Sequence, residues 1–285
     1  MLSTPRRSRA RRPGSMPTGR PHPLLANAAR SLVRPSAKPH TRQNGHIVPM
    51  RNQLQQGIVK ALEERITMTD SNDSAPLVRG LGVVLDACAE AFLNEPTSQV
   101  VSDMRRVANV LGAPGFDDIE ADDGLKQRYY DRMFVTSSPL YVPLREGSIV
   151  GGGVDQNGAM RYAGIESGRA DHVLRCYRAV GFDHRALVGY PLAISTLKPD
   201  SIASELAFLA FCVQRCAKAN EAGQRDEAAR WIELAQTFAR DHACTWIPAA
   251  AACLERTYRD FYARVCTLAA QAVHAVLDEA LRKPS

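Results

Sequence analysis

The 285-residue sequence contains no apolar run approaching the roughly 18–20 residues that a membrane-spanning helix needs. Its longest candidate, Leu206 to Val213, reaches 8 residues. A helical membrane span is thereby excluded, and a soluble chain is expected. No Asp or Glu occurs in residues 1–51, which hold 11 Lys and Arg. The overall charge of +6 therefore misleads: residues 52–285 carry 25 basic against 30 acidic side chains, a net charge of −5. No C-x-x-C pair occurs, and the seven cysteines are odd in number. A disulfide framework is not expected, and a reducing compartment, the cytoplasm, fits. Also missing are H-E-x-x-H, G-x-S-x-G and any carboxylate pair beside a nucleophile. Of the seven histidines, His22, His40 and His46 lie in the basic leader. Neither catalysis nor a resident cofactor or metal is indicated.

Several apparent motifs fail on their surroundings. Arg6-Arg7 and Arg11-Arg12 look like a twin-arginine export signal, but Pro13, Pro17, Pro21 and Pro23 follow where an apolar stretch should be. Gly151-Gly152-Gly153 has neither a preceding strand nor a following Lys-Ser/Thr, so it is no phosphate loop. Asp117-Asp118 with Asp122-Asp123 lacks the Gly and closing Glu of an EF-hand, and reads as a helix entry favoured by the macrodipole. Cys212 and Cys216 lie one helical turn apart, yet two thiols make an incomplete metal site and pack well as small hydrophobes.

What is present divides the chain at about residue 70. Eight prolines precede position 50, and no apolar periodicity is seen there. A disordered basic leader over 1–70 is expected. Met50 or Met68 could serve as an alternative start. The tail could bind nucleic acid or anionic lipid, or have no partner at all.

Residues 71–285 read as a helical bundle. The first helix carries Leu77, Leu81, Val84, Leu85, Cys88 and Phe92. A second runs from about Ser98 to Leu111, a third from about Asp123 to Phe134. A fourth covers about Ala170 to Ala179. Gly181 to Pro199 marks a hinge between two halves. Beyond it Asp200 is placed as an N-cap, and Ile202, Leu206, Leu209, Val213 and Cys216 form one stripe. A helix over about Asp226 to Asp241 follows, then a turn at Trp246-Ile247-Pro248, then a last helix over about Ala249 to Leu281 through Tyr258 and Phe261. No convincing strand is found. The fold class is all-α.

Two features stand out against this background. Glu205 falls about 60° from Ile202 on the helical wheel, inside the apolar stripe. A carboxylate there must be hydrogen-bonded, paired or protonated. A buried pair that fixes packing and a binding role, shared with Asp200, both remain open. The second feature is the segment Ser138 to Leu144, apolar and aromatic where a loop should be polar. It either packs onto the bundle or walls a groove for a peptide.

At these residues the sequence resembles the TorD/DmsD-type redox-enzyme maturation chaperones. Tyr130-Asp131-Arg132-Met133-Phe134 followed by Pro139-Leu140-Tyr141-Val142-Pro143-Leu144-Arg145-Glu146 is similar to their Y-x-x-φ-F and P-x-Y-x-P-x-x-E segment. Pro199-Asp200-Ser201-Ile202-Ala203-Ser204-Glu205-Leu206-Ala207-Phe208 resembles P-D-H-φ-x-x-E-L-x-F, with Ser201 where the family usually has His. His242-Ala243-Cys244-Thr245-Trp246-Ile247-Pro248 is similar to H-x-x-x-W-x-P. The resemblance covers about 77–280. It implies an all-helical chaperone, without catalysis, that binds the twin-arginine signal peptide of a molybdopterin-dependent oxidoreductase until its cofactor is inserted. Tyr130, Phe134, Leu140, Tyr141, Leu144, Asp200 and Glu205 are the candidate peptide-binding residues, expected to border one groove. Monomer and homodimer are both compatible with this reading.

Overall fold

A computed structural model of the chain describes residues 75–154, 160–164, 168–278 and 281; the basic leader over 1–70 lies outside them. The architecture is all-helical. In chain order the helices are α1 (Ala75–Leu93), α2 (Ser98–Leu111), α3 (Asp123–Met133), α4 (Glu146–Val150), α5 (Gly168–Val180), α6 (Pro191–Thr196), α7 (Ile202–Glu221), α8 (Arg225–Phe238), α9 (Cys244–Thr257) and α10 (Phe261–Ala275). A 3₁₀ turn occupies His184–Ala186, and a π-helical turn, Ala239–Ala243, joins α8 to α9. None of the described helices is long and apolar enough to cross a membrane.

The stripe on α7 organises the bundle. Ile202, Leu206, Leu209, Val213 and Cys216 are all buried, and α1 lies along them with Val78, Leu85, Cys88 and Phe92 facing in. Helix α10 closes the other side of α1, α8 packs on α7, and α9 packs on α10. One hydrophobic core cluster draws on residues before and after the segment 181–199 expected as a hinge, and Phe182, Leu187, Tyr190, Ile194 and Leu197 of that segment pack against it, partly buried. That segment carries the 3₁₀ turn and α6.

Four local expectations are corrected. A two-residue antiparallel ladder pairs β1 (Gly153–Val154) with β2 (Met160–Arg161), where no strand was expected. Glycine is required there, because a Cβ on Gly152 would come within 2.5 Å of the Arg161 carbonyl oxygen. The cap of α7 is Ser201, whose hydroxyl accepts from the Ser204 amide, rather than Asp200. Asp200 is turned inward and accepts from the Gly147 amide at 3.3 Å instead. Trp246-Ile247-Pro248 lies inside α9, and not in a turn. Finally, the expected last helix is two helices. Tyr258 is extended (φ −168°, ψ 128°) and 54% exposed, and Asp260 starts α10 by accepting from the Ala263 amide.

One buried arginine holds this corner together. Arg132, on α3, is fully buried and pairs with Asp260 at 2.7 Å. Its two terminal nitrogens donate to the carbonyls of Tyr258 and Leu140. It thus ties the α9–α10 break to the start of the apolar segment.

Candidate functional site

Beyond α3 the segment 138–140 makes a turn, in which Tyr141 N–H donates to the Ser138 carbonyl at 3.1 Å, and the following residues meet the start of α7. Ile202 N–H donates to the Leu144 carbonyl at 3.0 Å, Glu146 N–H donates to the Asp200 carbonyl at 2.9 Å, and Arg145 and Ser201 form an antiparallel bridge. Pro139 sits in that turn and Pro143 in the stretch that follows it. Val142 and Leu144 are buried, while Tyr141 stays half-buried.

A pocket opens on the outer side of this junction. Its lining includes Phe92, Met133, Phe134, Tyr141, Leu144 and Leu197. Of the seven candidate residues, Phe134, Tyr141 and Leu144 therefore share one groove. Tyr130 and Leu140 do not line it. The Tyr130 hydroxyl is held by Glu95 and by Tyr190, 3.1 Å away, and Leu140 contributes its carbonyl to Arg132. Asp200 and Glu205 are absent from the lining as well, being 2% and 0% exposed.

Behind the junction lies a chain of buried polar groups that the sequence reading did not propose as a site. Glu146, at the start of α4, is fully buried. Its Oε1 accepts from Arg169 of α5 at 2.6 Å, and its Oε2 meets Nδ1 of His242 at 2.8 Å. Nε2 of His242 lies 2.7 Å from Nδ1 of His172 on α5. Burial pushes Glu146 upward, but the His242 hydrogen bond and charge and the Arg169 pair outweigh it and hold the carboxyl below its ordinary value. An ionised Glu146 only accepts, so His242 carries its hydrogen on Nδ1. Burial, and then the neighbouring His242, lower the pKa of His172.

Glu205 is the second buried carboxyl. Its Oε2 accepts from the Trp246 indole N–H at 2.8 Å, and its Oε1 has no partner. Burial pushes its pKa well up, and the charge of Glu146 adds to the shift. Burial thus favours the neutral form of Glu205. Asp200 is also raised, first by burial, against the Gly147 hydrogen bond.

The polar letters of the three quoted sequence segments thus converge in space. Glu146 closes the first, Asp200 and Glu205 belong to the second, and His242 and Trp246 to the third. They were present in the sequence as motif positions, but their contacts span 41 and 96 residues. Nothing local in the chain signals such a pairing.

Residues 115–252 match the family model described as nitrate reductase delta subunit. The match spans just under half of the chain. It contains all three converging segments. No curated protein and no solved structure matches the chain.

Proposed function

We propose that this protein is a cytoplasmic, TorD/DmsD-type chaperone that binds the twin-arginine signal peptide of a molybdopterin-dependent oxidoreductase and holds the precursor until its cofactor is inserted. The observation that carries this reading is the groove, lined mainly by apolar side chains together with Arg145, Thr196 and Ser201, formed where the Pro139–Leu144 segment is bridged to the start of α7. A signal peptide offers an apolar stretch, and a groove lined by Phe134, Tyr141, Leu144 and Leu197 matches that chemistry. Phe134, Tyr141 and Leu144 contact the peptide. Tyr130 and Leu140 act through the elements they brace, and Asp200 and Glu205 support the junction from inside. The net charge of −5 on residues 52–285 steers a basic peptide toward the body.

Titration calorimetry of the full chain against a panel of precursor signal peptides tests the proposal. Binding near micromolar affinity is expected, about −8 kcal/mol. If no peptide binds a protein that retains its helical circular dichroism, the proposal fails.

A further inference from the structure

His172 and Cys176 lie four residues apart on α5, so both project from one face of that helix. The π-helical turn before α9 brings His242 to the same point. One donor atom from each of the three lies within 4.8 Å of the other two. Cys176 is a buried free thiol, and His242 is 2% exposed, while His172 is half-buried and gives the cluster a side open toward solvent.

We propose that His172, Cys176 and His242 form a binding site for a single divalent transition-metal ion of the zinc class. Two imidazoles and a thiolate are a donor set that suits this ion, with a fourth position left for water or another group. The distances require little movement. With metal–nitrogen bonds of about 2.0–2.1 Å and a metal–sulfur bond of about 2.3 Å, tetrahedral donors sit roughly 3.3–3.6 Å apart. The two histidine nitrogens, now 2.7 Å apart, open by roughly half an ångström, and the widest separation closes by roughly one.

The surroundings supply what an imidazole ligand needs. Glu146 already holds the Nδ1–H of His242, which fixes the ring and leaves Nε2 as the donor, the carboxylate–histidine arrangement that orients metal ligands. Arg169 in turn fixes Glu146. Metal binding releases the thiol proton of Cys176 and replaces the hydrogen bond between the two rings by two metal–nitrogen bonds. No oxidant or reductant is involved. The site is independent of the peptide groove, and neither its success nor its failure bears on the peptide reading.

The test is a titration of the chelator-treated full chain with Co²⁺ at neutral pH, followed by absorption spectroscopy. Saturation at one equivalent is expected, with a thiolate-to-cobalt charge-transfer band that Zn²⁺ abolishes by displacement. Cys176→Ser removes that band, and His172→Ala weakens binding at least about tenfold. Glu146→Gln, which acts through His242, weakens it by roughly 10–100-fold. Cys212→Ser leaves both band and affinity unchanged, because its thiol is outside the cluster. Any cobalt taken up by the histidines of the leader would lack a sulfur ligand, so the charge-transfer band separates it from this site. His172 is half-buried, so its alanine variant is expected to keep the fold, which preserves the test if Cys176→Ser does not fold. Absence of the band in the unsubstituted protein overturns the proposal. So does a band that survives Cys176→Ser, or an affinity that His172→Ala leaves unchanged.

Discussion

The indole N–H of Trp246 donates to Oε2 of Glu205 at 2.8 Å, and this bond joins the first turn of α7 to α9 inside the core. Both residues are fully buried, and the second carboxyl oxygen of Glu205 has no partner. Burial favours the neutral form of this carboxyl, whose one hydrogen-bond donor is the indole.

Glu205→Gln keeps the shape and the acceptor, so it is expected to change unfolding free energy by no more than about 1 kcal/mol. Trp246→Phe removes the donor and strands the acid, costing about 1–3 kcal/mol from the unpaired group, with lost volume adding to it. Urea denaturation at pH 7 measures both. Equal, large losses from the two variants would mean that Glu205 is ionised and that its charge, rather than the acceptor, holds the junction.

The helical wheel revealed Glu205 because burial follows angular position, which three residues suffice to define. It could not reveal Trp246, whose partner is 41 residues away. The cap of α7 was misplaced by one residue for a similar reason. Asp200 and Ser201 are both good caps, and the choice between them is made by Gly147, which captures the Asp200 carboxylate. The break between α9 and α10 was missed because the apolar spacing continues through Tyr258 and Phe261. Asp260 was the available signal, an N-cap directly before the apolar run Phe261-Tyr262. Arg132 secures that break from α3, a contact 128 residues distant. Cys212 and Cys216 share a one-turn spacing with His172 and Cys176, but only the latter pair gains a third donor, through the π-turn.

Asp86 on α1 offers a pH-dependent stability. Burial first, and then the neighbouring Glu90, push its carboxyl from the ordinary 3.8 up to about 7, and its Oδ2 has no partner. The folded state thus binds a proton more tightly than the unfolded chain does. Its contribution is fully present below about pH 4 and is lost as pH rises to about 7. Asp86→Asn removes that dependence, so the variant is expected to be more stable than the natural protein at pH 8 and to show a shallower decline between pH 4 and 7. Denaturant midpoints measured across this range check it. An unchanged slope would show that Asp86 is ordinarily solvated.

The ion pair between Arg132 and Asp260, 0% and 4% exposed, makes breaking one partner costly. Asp260→Ala removes both the pair and the α10 cap and is expected to cost about 3–5 kcal/mol, because Arg132 is left as a buried, uncompensated charge. Asp260→Asn keeps the cap acceptor and should lose less. If the alanine variant loses under about 1 kcal/mol, water reaches the guanidinium and this corner is looser than its contacts indicate.

The groove predicts which part of a signal peptide dominates binding. Its walls are mainly apolar side chains, among them Phe92, Met133, Phe134, Tyr141 and Leu197. The nearby carboxyls of Glu146, Asp200 and Glu205 are all buried, and Glu146 is already committed to Arg169 and His242. The peptide's arginines therefore find no desolvated carboxylate there, and exposed charge pairs at the rim are weak and screened by salt. Replacing the peptide's apolar segment with Ser and Gly should abolish binding, whereas replacing its two arginines should slow association and weaken affinity several-fold. Tyr141→Ala is expected to cost about 2 kcal/mol, as an aromatic anchor at the groove wall. Calorimetry at low and high salt measures all three effects. If the arginine replacement is the more damaging one, and Tyr141→Ala is neutral, the peptide is held by charge outside this groove and the assignment of Phe134, Tyr141 and Leu144 falls.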